Sequence, residues 1–230
     1  MAKTRLAIRN RVKQKLNTVT GSVVVGAWGD ELNEYITQAE RKIAFDLPDC
    51  AIDDNLWGSS TYSLPTSPIS KIVQRNKPAD FLRLISAYHI PRGSNILRSV
   101  VMLPNLGSLV ARIEISNNTT SGTSSTFFAL HGKYVCWGPV SIGDSITIDY
   151  VRVPTPMSSD TSESQIPEQF IGLVEDHAVA MALLQVGSPA WQAWMERYQS
   201  GVVTLFQRFN LDPPKAFLPS TGMMAAGKGV

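Results

Sequence analysis

Hydrophobic residues recur along the chain with two different periods, and the change from one to the other divides it. In "GDELNEYITQAERKIAFDLP" the residues Leu32, Ile36, Ala39, Ile43 and Leu47 fall on one narrow stripe at about 100° per residue, which predicts an amphipathic helix. Asp30, Glu31 and Glu34 crowd its start, Arg41 and Lys42 come late, and Pro48 closes it, as the helix dipole and stop signals favour. Upstream, Ile8, Val12 and Leu16 recur at every fourth position, which predicts a shorter basic helix. Lys3, Arg5, Arg9, Arg11, Lys13 and Lys15 surround that stripe, six cations before the first acid, Asp30.

The helical period returns near the other end. "IPEQFIGLVEDHAVAMALLQVG" places Phe170, Val174, Ala178, Met181 and Leu184 on one face, with Pro167 suited to the first turn and Gly187 to the end. "SPAWQAWMERYQSGVVTLFQRFN" starts again with Ser188 as expected N-cap and Pro189 behind it. Its apolar stripe comprises Trp191, Trp194, Met195, Tyr198, Val202, Leu205, Phe206 and Phe209. The short connection predicts an antiparallel hairpin of the two helices.

Between Trp57 and Val153 the period falls to two. "SITIDYVRV" alternates, with Ile146, Ile148 and Tyr150 on one face and Thr147 and Asp149 on the other, the mark of a half-buried strand. "TFFALHGKYVCWGP" reads as two strands folded about His131-Gly132, and "DFLRLISAYHI", "NILRSVVMLP" and "ARIEIS" are further strand candidates. Five or six short strands predict a small antiparallel sandwich or barrel.

The expected fold is therefore α+β: a helical bundle formed by the N- and C-terminal helices, with a small antiparallel β domain inserted in it. The bundle is assigned to residues 1–56 and 157–210, the insertion to 57–156, and an extended tail to 211–230. The Pro/Ser/Thr-rich stretch "VPTPMSSDTSESQIP" is the return crossing from strands to helices, and three prolines mark the tail.

Composition narrows the functions open to such a chain. At 230 residues, 43% hydrophobic and 17% charged, it can bury a core without staples, and a formal net charge of +2 gives no bulk signal for nucleic acid or membrane. Two cysteines, Cys50 and Cys136, lack metal spacing and are expected as free thiols. The charged N-terminus lacks the apolar core of a secretion signal, and no run approaches the ~20 apolar residues of a membrane span, so synthesis in a cytoplasm is expected.

Catalytic signatures are missing from the sequence. His89, His131 and His177 each lack a second ligand at metal spacing, so neither a metal nor a cofactor is expected. Neither a nucleophile elbow, a P-loop nor a dinucleotide fingerprint occurs. Pairs such as Glu175/Asp176 and Asp53/Asp54 are the raw material of glycoside hydrolysis, but so many acids offer such pairs by chance. Arg5, Arg9, Arg11, Lys13 and Lys15 are candidate contacts for an acidic partner or for DNA phosphates. Phe217, Leu218, Met223 and Met224 are apolar anchors in a tail too short to fold alone, the pattern of a segment that folds upon a partner.

The order of these pieces resembles the head-to-tail adaptor, or connector, proteins of tailed bacteriophages, especially short-tailed ones. "ELNEYITQAERKIAFDLP", "TYSLPTSP", "NKPADFLRLISAYHI", "GKYVCWGP", "SITIDYVRVPTPMSSD" and "IPEQFIGLVEDHAVAMALLQVG" carry the resemblance over roughly residues 30–210. Tyr150, Arg152 and Pro154 match the family's Tyr-x-Arg-x-Pro-like stretch. The resemblance implies a virion protein at the head–tail junction, assembled in the host cytoplasm into a ring, usually of twelve copies. Such a ring docks beneath the portal protein, carries the tail nozzle protein and lets genomic DNA pass close by, with the end helices as ring wall and the tail reaching the portal. A virion-associated cell-wall (peptidoglycan) hydrolase is the alternative, and a nucleic-acid-binding module of unrelated fold is a third reading.

Overall fold

The computed structural model describes residues 3–20, 29–63, 72–94, 96–118, 125–139 and 141–214. The chain divides into two compact units, one formed by Met1–Leu56 with Pro154–Val230 and the other by Trp57–Val153. The fold is α+β, a helical part with an inserted β part.

In the helical unit, helix α1 (Arg5–Thr20) buries Ile8, Val12 and Leu16, and helix α2 (Gly29–Asp46) buries Leu32, Ile36, Ala39 and Ile43. These are the stripes read from the sequence. Helix α4 (Ile171–Gln185) and helix α5 (Trp191–Arg208) pack on each other, and α4 also contacts α1 and α2. Three neighbours explain why α4 departs from the expected single face. Val174, Glu175, Asp176, His177, Ala178, Val179, Ala180, Ala182 and Leu183 are all buried, whereas Leu184 is exposed and Met181 half-buried. A helix hydrophobic nearly all round is a central helix, and a stripe cannot describe it.

The ends of these helices also differ in detail from expectation. Pro167 precedes a 3-10 turn, Glu168–Phe170, that leads into α4. The N-cap of α5 is Ala190, not Ser188, and it makes no side-chain cap bond; Ser188 contributes its carbonyl to Trp191 N–H at 3.2 Å instead. Gly187 closes α4 at φ 68°, where the Ser188 N–H bonds the Leu183 carbonyl at 3.0 Å. That left-handed conformation is the one glycine adopts without steric cost.

Among the described residues the β unit forms two four-stranded sheets. In the first, β1 (Trp57–Ser63), β8 (Ser145–Arg152), β3 (Phe81–Ile90) and β4 (Arg98–Ser99) lie in that order, all antiparallel. In the second the order is β2 (Val73–Asn76), β7 (Tyr134–Gly138), β6 (Phe127–His131) and β5 (Val101–Leu103), and the β5–β6 pair is parallel. Val73, Ala87, Phe128, Val135, Trp137, Ile146, Ile148 and Tyr150, drawn from both sheets, share one apolar core. Packing is close enough that a Cβ on Gly58 would lie 2.5 Å from the Tyr150 ring.

One strand expectation is corrected. "ARIEIS" belongs to helix α3 (Leu106–Asn118), whose Leu109 and Ile113 pack against Phe127, Ala129 and Cys136. Asn105 caps that helix, its side-chain oxygen accepting the Ser108 N–H at 2.8 Å. β6 and β7 are thus covered on both faces: Phe128, Val135 and Trp137 face the other sheet, while Phe127, Ala129 and Cys136 face α3. Two covered faces account for the continuous apolar run in "TFFAL".

Candidate assembly surfaces and the charged network of the helical unit

Four of the five cations of α1 are partners of the chain's own acids. Arg5 donates to Asp160 Oδ1 at 2.9 and 3.2 Å and to the Met157 carbonyl at 3.1 Å, and Arg9 donates to Asp160 Oδ2 at 2.9 Å. Hydrogen bonds from Arg5 and then Arg9 hold the Asp160 carboxyl below the usual range. One turn on, Arg11 bonds Glu175, and Lys15 bridges Glu175 at 2.8 Å and Asp176 at 2.6 Å. Arg197 of α5 meets Asp176 from the other side at 2.9 Å. Spacing decides this: Arg5 and Arg9, and Arg11 and Lys15, stand four apart and lie in pairs on one helix face. Lys13 falls between them and has no ion pair among the described residues.

The acids they meet are the ones a hydrolase reading would need. Glu175 and Asp176 side chains are 5% and 9% exposed, and each is held by two cations. A buried carboxylate satisfied in this way is poorly placed to take a proton from a substrate. Asp53 instead turns back on its own loop, accepting Asn55 N–H at 3.2 Å and Leu56 N–H at 3.3 Å.

Two further buried groups tie helices together. Asp46 accepts the Tyr198 hydroxyl and holds Lys42 at 2.6 and 2.7 Å, linking α2 to α5. Burial and then the Asp46 charge push the Tyr198 hydroxyl pKa far up. His177 packs edge-on against the Tyr198 ring at 4.9 Å between centroids, and burial, with the Lys42 charge in support, lowers its pKa to about 4. It is a neutral core histidine. Glu40 of α2 is 1% exposed and accepts the Ser164 hydroxyl of the crossing segment; burial raises its pKa to about 7 against the opposing effect of that bond. His177 is the core histidine that its place on the apolar side of its helix predicts, whereas Glu40 gives no local signal because its partner Ser164 lies 124 positions away.

In the β unit, His89 lies 3.1 Å from Asp144 and 3.0 Å from the Thr126 hydroxyl, and His131 is exposed at the β6–β7 turn. Among the described residues, no group of three or more His, Cys, Asp or Glu could hold a metal ion. Both cysteines are free, Cys50 exposed and Cys136 buried. Of the stretch matched to Tyr-x-Arg-x-Pro, the Tyr150 hydroxyl donates to Asp80 at 3.0 Å, Arg152 sits 3.5 Å from the same acid, and Pro154 is buried.

Each unit also exposes apolar surface. On α5, Tyr198, Val202 and Leu205 are buried, while Trp191, Trp194, Met195, Phe206 and Phe209 are only half-buried. On the β unit, Ile96 is 68%, Leu97 56% and Met102 48% exposed, at and before β5, which among the described residues pairs on one side only. An apolar, unpaired sheet edge is a surface that isolated soluble proteins avoid. Phe217, Leu218, Met223 and Met224 lie outside the described residues. No described helix is long and apolar enough to cross a membrane.

No curated protein matches the chain. The family model for the SU10 adaptor protein matches residues 3–213, taking in both units, the crossing segment and every described helix of the bundle. The chain therefore belongs to the SU10 adaptor protein family, as a phage head–tail adaptor.

Proposed function

We propose that this adaptor assembles into a ring, of about twelve copies by its resemblance to connector proteins, that joins the capsid portal to the tail nozzle at the head–tail junction and continues the DNA channel. A ring of identical subunits needs two different complementary faces on each copy. The observation that carries the reading is the aromatic margin of α5: its stripe is wider than its partner helix covers, leaving Trp191, Trp194, Phe206 and Phe209 part-exposed. The apolar edge at β5 is a second surface, on the unit we assign to the nozzle side. Phe217, Leu218, Met223 and Met224 are assigned to portal contact. No catalytic step is invoked; the work is binding and sealing.

Light scattering of the purified chain, alone and mixed with its portal, tests this. The expected result is a small species alone and a ring-sized one with portal. Deleting residues 211–230 should leave a folded chain that attaches weakly, and Phe206→Asp should block assembly by placing a charge in the apolar margin. A chain indifferent to portal, or normal assembly of Phe206→Asp with an unchanged melting point, would contradict the assignment.

A further inference from the structure

Charge is divided unevenly between the units. Residues 57–153 contain nine lysines and arginines against four acids, a formal +5, whereas the rest of the chain has twelve against fifteen, a formal −3, which together give the net +2. Three of the four acids in the β unit are already engaged. Asp80 meets Arg152 and Tyr150, Asp144 accepts backbone N–H groups of Arg92 and Ser141 at 3.0 and 2.9 Å, and Asp149 accepts the Ser86 hydroxyl at 3.0 Å. The β unit therefore carries more cations than its own acids can neutralise.

Two of these cations are brought together. A surface pocket is lined by Asn76, Lys77, Pro78, Ala79, Phe81 and Lys133. The Lys77 N–H donates to the Lys133 carbonyl at 2.9 Å, which sets the two lysines side by side where β2 ends and β7 begins. Lys77 Nζ lies 5.0 Å from the Phe81 ring centroid and Lys133 Nζ 5.3 Å from that of Tyr134. A ring face fixes an ammonium without neutralising it, as a carboxylate would. Neither lysine meets a carboxylate among the described residues.

We infer that this face of the β unit binds the phosphodiester backbone of nucleic acid, with Lys77 and Lys133 each contacting a phosphate. Arg98 and Arg112, exposed and without an ion pair among the described residues, add to the unit's positive charge away from that pocket, Arg98 standing opposite His89 near the other end of β3. A surplus spread over a whole unit suits a polymer of repeating charge better than one acidic side chain. The pocket is lined by lysines and not by arginine, and such point charges predict binding without sequence preference. The site needs neither the ring nor the portal, so its test is separate from that of assembly.

The experiment titrates the full chain, free of portal, into a short fluorescent DNA duplex of arbitrary sequence over a range of salt. Affinity should fall steeply with salt, because each phosphate neutralised by a lysine adds roughly 0.9 to the slope of log K against log salt. Lys77→Gln with Lys133→Gln should therefore reduce that slope by about 2. Lys77→Arg with Lys133→Arg should restore it, and thermal melting of each variant checks the fold. Lys13→Gln should leave the slope unchanged, since α1 does not touch the duplex. No binding at low salt, an unchanged slope in the double Gln variant, or a reduced slope in Lys13→Gln would overturn the inference. So would polyglutamate competing as well as DNA, which would make the ligand an acidic protein surface.

Discussion

In the helical unit the buried charges face one another; in the β unit Lys77 and Lys133 stay at the surface without a carboxylate partner among the described residues. Glu175 and Asp176 sit nearly buried on α4 and are neutralised from α1 and α5, while Asp46 and Glu40 tie α2 to α5 and to the crossing segment. The β unit builds its core almost entirely from apolar side chains and leaves Lys77 and Lys133 at its surface over aromatic rings. Similar residue types therefore do different work. Burial decides which: a charge in a helical interior must find its counter-charge, whereas one at a strand end stays available to a partner.

The sharpest way to break this comparison is to remove one lysine from each unit. Lys15→Ala leaves two buried carboxylates short of a cation and is expected to cost about 3–5 kcal/mol, read as a lowered urea midpoint at constant slope. Lys77→Ala should change stability by no more than about 0.5 kcal/mol. Lys13→Ala, on the same helix as Lys15 but without an acid partner among the described residues, should behave like Lys77→Ala. Equal losses at Lys15 and Lys77 would mean that the two units do not use charge differently.

That contrast also marks where sequence reading stops. Hydrophobic period was enough for α1, α2, β8 and the β6–β7 hairpin, because each shows one buried face or two covered ones in a short window. It failed at α3, where Ile113 and Ile115 look like strand alternation. The deciding signals were Asn105 as a cap and Leu109 four residues before Ile113, which the alternation obscured. Partners lay further out of reach. Arg11 and Glu175 are 164 positions apart, so nothing local in "RNRVKQK" distinguishes a cation facing the chain's own acids from one facing DNA. The β unit's surplus is visible in the sequence only once the domain limits are applied to the charge count.

Adding one methyl group to a glycine in each unit gives a smaller effect with opposite signs. Gly58→Ala would place Cβ 2.5 Å from Tyr150, whose ring is stacked on Phe81 at 5.4 Å and whose hydroxyl is bonded to Asp80. The ring has little freedom to move, and a loss of about 1–3 kcal/mol is expected. Gly172, in the first turn of α4, has nothing within 4 Å of such a Cβ. There alanine should stabilise by about 0.5 kcal/mol through helix propensity and the narrowed unfolded ensemble. Thermal melting of both variants checks the pair; a stabilised Gly58→Ala would mean the sheet packing is looser than its distances indicate.

The smallest expected signal comes from two opposing titrations inside the helical unit. Glu40 has its pKa raised by burial from 4.5 to about 7, so the folded chain holds a proton that the unfolded one has released. Its contribution is fully present below 4.5 and is lost as pH rises through about 7. His177 has its pKa lowered from 6.5 to about 4, again by burial first, so the unfolded chain takes up a proton that the folded one refuses. Its contribution is present above 6.5 and is lost as pH falls towards 4. Across roughly pH 5 to 6 the two slopes, each about 1.4 kcal/mol per pH unit, have opposite sign and nearly cancel. Unfolding free energy in that window should therefore be almost flat in the wild-type chain. Glu40→Gln should tilt it so that stability rises with pH, and His177→Phe should tilt it the other way. A flat profile in both variants would show that neither group titrates as its burial requires, and that the helical unit admits water where its geometry excludes it.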